Sequence, residues 1–218
     1  MSPRRARVAV VALIAVAALA AVQAAFAELP VIRFVAADQA AAKASTLRLS
    51  DLGAGWKGGP QKPDFSDDTK CTGYYPKQSD LVVTGAAEAE FTSAGAFVSS
   101  TAYVLQTPRM VQVDWQRTVV HPQVIRCLRE VTAKQSGVKV ASVARVPFPK
   151  VAPLTARIRL VLDYTTPNGK VRMLMDAVFL GKGRSELMLM VGAPYGDRAA
   201  ADAAEARLAR LMVGRTRG

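Results

Sequence analysis

Ile158-Arg159-Leu160-Val161-Leu162-Asp163-Tyr164 is followed, across Asn168-Gly169, by Val171-Arg172-Met173-Leu174-Met175-Asp176-Ala177-Val178-Phe179-Leu180. Residues 157–165 and 171–180 are rich in strand formers, and Asn-Gly is the strongest short hairpin signal, because both positions of a type I′ turn need positive φ. With 168 and 169 as the turn, Tyr164 pairs with Met173, Leu162 with Met175, Leu160 with Ala177 and Ile158 with Phe179. All four pairs are apolar and share a face. A one-residue slip would scatter them, so the pattern defends its register. A second turn at Lys182-Gly183 predicts Met188 beside Ala177 and Met190 beside Met175. The opposite face mixes Val161, Leu174, Val178, Leu187 and Leu189 with Arg159, Asp163, Arg172 and Asp176, which predicts a sheet covered in part on both sides.

Working outward, 138–146 alternates loosely and continues the sheet. Residues 81–83, 87–92 and 97–106 read as strands, the last two joined across Ser93-Ala94-Gly95-Ala96. Residues 38–49 predict a short helix that ends near Asp51-Leu52-Gly53, with Gly53 in the left-handed C′ position. From 57 to 79, Gly58, Gly59, Pro60, Pro63 and Pro76 break any regular element, and Cys71 ties the stretch down; the same composition suits a lid. Thr107-Pro108 supplies an N-cap and first helical residue, with Val111, Trp115 and Val119 spaced by four. After Pro122, residues Val124, Cys127, Leu128 and Val131 fall on one helical face. Asp197 opens a final helix over 198–213, with a stripe of Ala204, Leu208, Leu211 and Met212, and Gly214 as its end. Asp202 and Glu205 lie early and Arg207 and Arg210 late, which suits the macrodipole.

Arg4, Arg5 and Arg7 precede an uncharged run over 8–22, a signal-peptide length that falls short of the roughly 20 residues of a spanning helix. Ala25-Phe26-Ala27 then gives small residues at −3 and −1 before Glu28. The expectation is a signal peptide over 1–27, a lead-in over 28–37 and a single exported domain over 38–218. The rival is an N-terminal anchor that is kept. No cysteine follows the run, so lipid attachment at the new N-terminus is not expected. Removing the three leader arginines lowers Lys plus Arg from 29 to 26 against 17 acids, a net charge of +9. That surplus favours anionic neighbours such as head groups, wall polymers or acidic proteins. Export argues against nucleic acid. The two cysteines, Cys71 and Cys127, allow one intramolecular disulfide in an oxidising compartment.

Little else carries chemistry. The one histidine, His121, stands before Pro122 at a helix start and reads as a boundary residue; pairing with Cys127 as a nucleophile is the sharper alternative. Asp64, Asp67 and Asp68 lack the spacing of a calcium loop. Gly181-Lys182-Gly183-Arg184 is a hairpin turn before it is a phosphate site. Asp163 and Asp176, on adjacent strands, could serve a glycosidase, but Arg159 and Arg172 beside them argue for ion pairing. No catalytic residue, metal or cofactor is expected. Met173, Met175, Met188 and Met190, with Tyr164, form a possible ligand face, since methionine adapts to varied apolar ligands; core filling is the alternative.

Leu49-Ser50-Asp51-Leu52-Gly53-Ala54-Gly55-Trp56, then Cys71 in a loop, then Ile125-Arg126-Cys127-Leu128 in a helix, resembles the exported domains of mycobacterial and other actinobacterial lipoproteins. It is similar too to the extracellular sensor regions of some receptor Ser/Thr kinases, with a PsbP/Mog1-like fold. The likeness spans 38–213. It implies an antiparallel sheet flanked by helices and a binding or sensor-like role rather than an enzymatic one. The expectation is therefore an α+β protein with one disulfide, secreted or held in the cell envelope. It would bind an apolar or anionic envelope ligand with the methionine face, under the 57–79 segment. The alternative is a protein-interaction module that uses its basic surface, and a hydrolase with an unrecognised site comes third.

Overall fold

The computed structural model describes residues 29–65, 71–167 and 169–216. The leader and its cleavage site lie outside the described residues, as do Asp67, Asp68 and Asn168. Strands β1 (Val31–Ile32), β2 (Lys57–Gln61), β3 (Val82–Ser93), β4 (Ala96–Leu105), β5 (Val138–Arg145), β6 (Leu154–Thr166), β7 (Gly169–Lys182) and β8 (Ser185–Pro194) build one sheet among the described residues. Its order is β1-β3-β4-β8-β7-β6-β5, with β2 also paired to β3. Among the described residues only the short β1 runs parallel to its neighbour. Helices α1 (Ala36–Ser45), α2 (Pro108–Asp114), α3 (Val124–Ala133) and α4 (Arg198–Arg215) flank it.

Alternation along each strand divides the core in two. One face carries Ile158, Leu160, Leu162, Met173, Met175, Ala177 and Met190, covered by Val124, Cys127, Leu128 and Val131 of α3. The other carries Ala87, Ala89, Phe91, Leu174, Val178, Leu187 and Leu189, covered by Ala42 of α1 and by Ala201, Leu208 and Met212 of α4. Both faces are therefore closed, as the mixed outer face implied. Cys71 and Cys127 form the expected disulfide, with Cα atoms 5.3 Å apart, both buried in the α3 core. Closing that loop stabilises the fold by about 4 kcal/mol in the chain-entropy picture. Thr107 caps α2 as its sequence indicates, accepting the Met110 N–H at 3.3 Å.

Several expectations are corrected. Both hairpin registers move by two residues: Leu162 pairs with Met173 and Ile158 with Ala177, while Ala177 pairs with Met190 and Phe179 with Met188. Pro167 has no N–H to give a ladder, so it sits in the turn and Thr166 pairs with Gly169, whose carbonyl accepts the Thr166 hydroxyl at 2.7 Å. At the second turn Lys182 pairs with Ser185, so Gly183-Arg184 form the loop and Gly183 takes the positive φ of 57°. A two-residue shift leaves every side chain on its predicted face.

Residues 57–61 form a strand after all. Pro60 is tolerated because β2 lies on an edge, and Gly58 lets the backbones meet, since a Cβ there would stand 2.0 Å from the Glu90 carbonyl oxygen. Helix α1 stops at Ser45, earlier than predicted, because the chain turns outward to bury Leu47, whose N–H donates to Ser100 Oγ at 3.0 Å. The left-handed glycine that follows is Gly55, not Gly53. The final helix continues through Gly214 to Arg215, whose guanidinium grips Asp51 at 2.6 and 2.7 Å. Its buried stripe is Ala201, Glu205, Leu208, Ala209, Met212 and Val213, so a glutamate takes a place expected for alanine.

Candidate functional site

On the α3 side of the sheet, the polar residues of β3, β4 and β8 gather at the end that faces α2. Glu88 pairs opposite Thr101, Ala86 opposite Tyr103 and Tyr103 opposite Glu186. Ser99, Thr101 and Tyr103 alternate onto one face of β4, and Glu186, Met188 and Met190 onto the same face of β8. Helix α2 brings Asp114 over this patch, because Val111 and Trp115 on the same helical face are buried. Immediately after Asp114 the helix widens into a π-turn over Trp115–Val119, a feature often found at functional sites. Thr118 donates its hydroxyl back to the Asp114 carbonyl at 2.9 Å.

The carboxyl groups of Asp114 and Glu186 lie within hydrogen-bond reach of each other. Burial pushes the Glu186 carboxyl well above its ordinary range, and the neighbouring Asp114 adds to the effect. Burial also raises Asp114, against the hydrogen bonds from Glu186 and Gln78 and the pull of Arg117. Gln78 Nε2 donates to Asp114 Oδ1 at 3.1 Å. The Tyr103 phenol is raised by burial and then by Glu88, Glu186, Asp114 and Asp64. Phe65, from the irregular segment, leans on Tyr103 with ring centroids 5.7 Å apart, and Phe34 leans on Phe65 at 6.2 Å. The hydroxyls of Ser99 and Thr101 are buried, with 1% and 2% of their residues exposed, and have no hydrogen-bond partner. This acidic seam is thus roofed by part of the segment expected to act as a lid, which the disulfide anchors at Cys71.

The methionine face lies beside the seam, mostly inside the core. Met173, Met175, Met190 and Tyr164 are buried with α3, and burial pushes the Tyr164 phenol up to about 12. Met188 is half-buried and stands opposite Thr101, at the border of the seam.

A second charged group lies on the opposite face, between the sheet and α4. Arg157 reaches Asp202 at 2.5 Å, Glu205 at 3.0 Å and the Pro147 carbonyl at 2.6 Å. Arg159 clasps both Asp176 oxygens and reaches Asp202 at 2.6 Å. Asp176 and Glu205 are fully buried. Burial and then the Asp176 charge push Glu205 up to about 8, despite Arg157. Burial works to raise Asp202 as well, but the hydrogen bonds from Arg159 and Arg157 outweigh it and hold that carboxyl low. Asp176, Asp202 and Glu205 bring oxygens within 4.8 Å of one another, a spacing that could suit a cation. The two guanidiniums already occupy that role, so the group is an ionic clasp that docks α4.

The sequence pointed to ion pairing at Arg159 with Asp176 and at Asp163 with Arg172, and both pairs form. The glycosidase arrangement does not, because each aspartate is held by its arginine. His121 keeps a boundary role: its Nδ1 accepts the Gln123 N–H at 3.2 Å and its ring stacks on Tyr74. Asp114, Glu186, Ser99 and Thr101 were missed. The available signal was polar residues recurring every second position of β4 in an otherwise apolar sheet.

No protein-family model matches the chain, and no curated protein matches it. Among solved structures it is similar to the extracellular domain of PknH from Mycobacterium tuberculosis, at 12% identity and a TM-score of 0.47, over 84% of this chain and 97% of that one. It is similar also to an uncharacterized Rv0999 ortholog from Mycobacterium smegmatis, at 12% identity and a TM-score of 0.45, over 83% of this chain and 98% of that one.

Proposed function

We propose that the chain is an exported, non-enzymatic binding domain, organised as a leader over 1–27, a lead-in over 28–37 and one domain over 38–218. It seats a small ligand in the seam between α2 and the sheet. The observation that carries the reading is the partnerless, buried hydroxyl of Thr101, one same-face step along β4 from the residue opposite Glu186 and so next to the Asp114–Glu186 carboxyl pair. Buried polar groups ordinarily find partners, and an orphaned hydroxyl beside two acceptors is what a ligand would satisfy. Met188 supplies the apolar edge, and Phe65 closes the roof. A sheet with helices on both faces supports the PsbP/Mog1-like reading of the fold. The disulfide and the leader pattern support an extracytoplasmic address.

Native mass spectrometry on the chain purified from the secreted fraction tests this. The expected result is a discrete extra mass whose occupancy falls in a Thr101→Val variant. A ligand mass unaffected by that substitution would move the site elsewhere.

A second reading has its own support. Leu29, Val31, Ile32, Phe34 and Val35 are exposed in and around β1, a group of apolar side chains of the kind that marks protein contacts. An envelope protein docked there would leave the seam unused.

A further inference from the structure

Resting on the seam as the binding site, we infer that its ligand carries a primary ammonium group on a short apolar stem. The polar atoms gathered there are nearly all acceptors. They are the carboxyl oxygens of Asp114 and Glu186 and the hydroxyl oxygens of Thr101 and Tyr103, and the hydroxyls can turn their own protons aside. A primary ammonium presents three N–H donors and one positive charge, so it answers both the geometry and the sign of the site. A quaternary ammonium has no N–H to offer the orphaned Thr101 hydroxyl. A carboxylate or phosphate ligand would meet the acids directly. A hard metal ion needs three or more ligand atoms drawn together, and among the described residues that spacing occurs only at Asp176, Asp202 and Glu205 on the opposite face. The stem would run along Met188 and the rings of Tyr103 and Phe65, where a cation also gains from the π face.

The groups around Glu186 set the pH behaviour. Asp114 faces it from α2, and Tyr103 stands opposite it on β4. Glu88, Asp114 and Asp64 gather around the Tyr103 phenol, and Arg117 pulls on Asp114 from the π-turn. Arg117 also pairs with Asp80 at 2.7 Å, and Arg184 pairs with Asp38. Burial and Asp114 favour the protonated form of Glu186. An ammonium bound between the two carboxyls would take the place of that proton, so binding would release a proton and tighten as pH rises.

Isothermal titration of the purified full-length mature chain with n-butylamine, in two buffers of different ionisation heat, reads both effects. The expected outcome is binding with release of about one proton and a tightening of up to about tenfold per pH unit. Asp114→Asn should weaken it at least about tenfold. Thr101→Val, which keeps shape and both carboxyls, should weaken it by a smaller factor and guards against a misfolded Asp114 variant. Equal binding of 1-butanol and n-butylamine would overturn the ammonium. So would a neutral ligand found in the seam by mass spectrometry, and in both cases the binding site would stand. No bound mass and no titration heat would instead remove the binding reading and this inference with it. Vesicles of phosphatidylethanolamine against phosphatidylglycerol separate an amine head group from a free amine: preferential capture by the former assigns the ammonium to a lipid.

Discussion

Asp114 of α2 and Glu186 of β8 face one another within hydrogen-bond reach, although they lie 72 positions apart in the chain. Burial and the neighbouring Asp114 both disfavour the ionised form of Glu186 and raise its carboxyl well above the ordinary range. Glutamate side chains labelled with ¹³C at Cδ should show two resonances that stay protonated well above the ordinary range. Glu186→Gln should abolish one, and Glu205→Gln the other. A Glu186 resonance titrating near its model-peptide value would dissolve the pair.

Glu205 gives a stability prediction with a definite sign. Its carboxyl is raised to about 8 by burial and by Asp176, so the folded state holds a proton that the unfolded chain releases near 4.5. That contribution is fully present below the unfolded value and is lost as pH rises toward 8, with a slope approaching about 1.4 kcal/mol per pH unit. Glu205→Gln should flatten that part of the curve and exceed the parent in stability at pH 8. Urea unfolding at several pH values makes the comparison, and parallel curves for the two proteins would count against the shift.

Arg159 and Asp176 test the clasp. Arg159→Met leaves Asp176 buried without its main partner, at a cost of about 3–5 kcal/mol. Arg159→Met with Asp176→Leu should recover most of that loss, because two apolar side chains then pack where two charges stood. A double-mutant cycle by chemical denaturation reads the coupling.

Gly85 marks the closest approach of α1 to the sheet. A Cβ there would stand 2.3 Å from the Asp38 carbonyl oxygen, and backbone cannot swing away as a side chain can. Gly85→Ala should cost about 1–3 kcal/mol or more, whereas Gly53→Ala, with nothing within 4 Å, should be close to neutral. Thermal unfolding of the two variants gives the contrast.

Periodicity resolved the faces of this fold better than its registers. Ile158, Leu160 and Leu162 lie on the predicted side because a side-chain period of two survives a shift of two, whereas the pairing depended on how Pro167 sits in its turn. The strand over Lys57–Gln61 was hidden because its pairing rests on edge position and on Gly58, which no local pattern reports. Glu205 was taken for a macrodipole charge; its real partner, Arg157, lies 48 residues away and comes into view only when α4 docks. The seam was illegible for the same reason, since Asp114 and Glu186 meet through tertiary packing alone.

The sheet order carries a consequence for how the chain must be made. The last strand, β8, lies in the middle, between β4 and β7. A chain that emerges N-terminus first can assemble β1 to β4 as one ribbon and β5 to β7 as another, but the two stay separate until residues 185–194 arrive. Both wings would until then show raw hydrogen-bonding edges to whatever shares their compartment. Loss of the final thirty-odd residues would therefore do more than shorten the protein: it would leave two half-sheets with no seam between them.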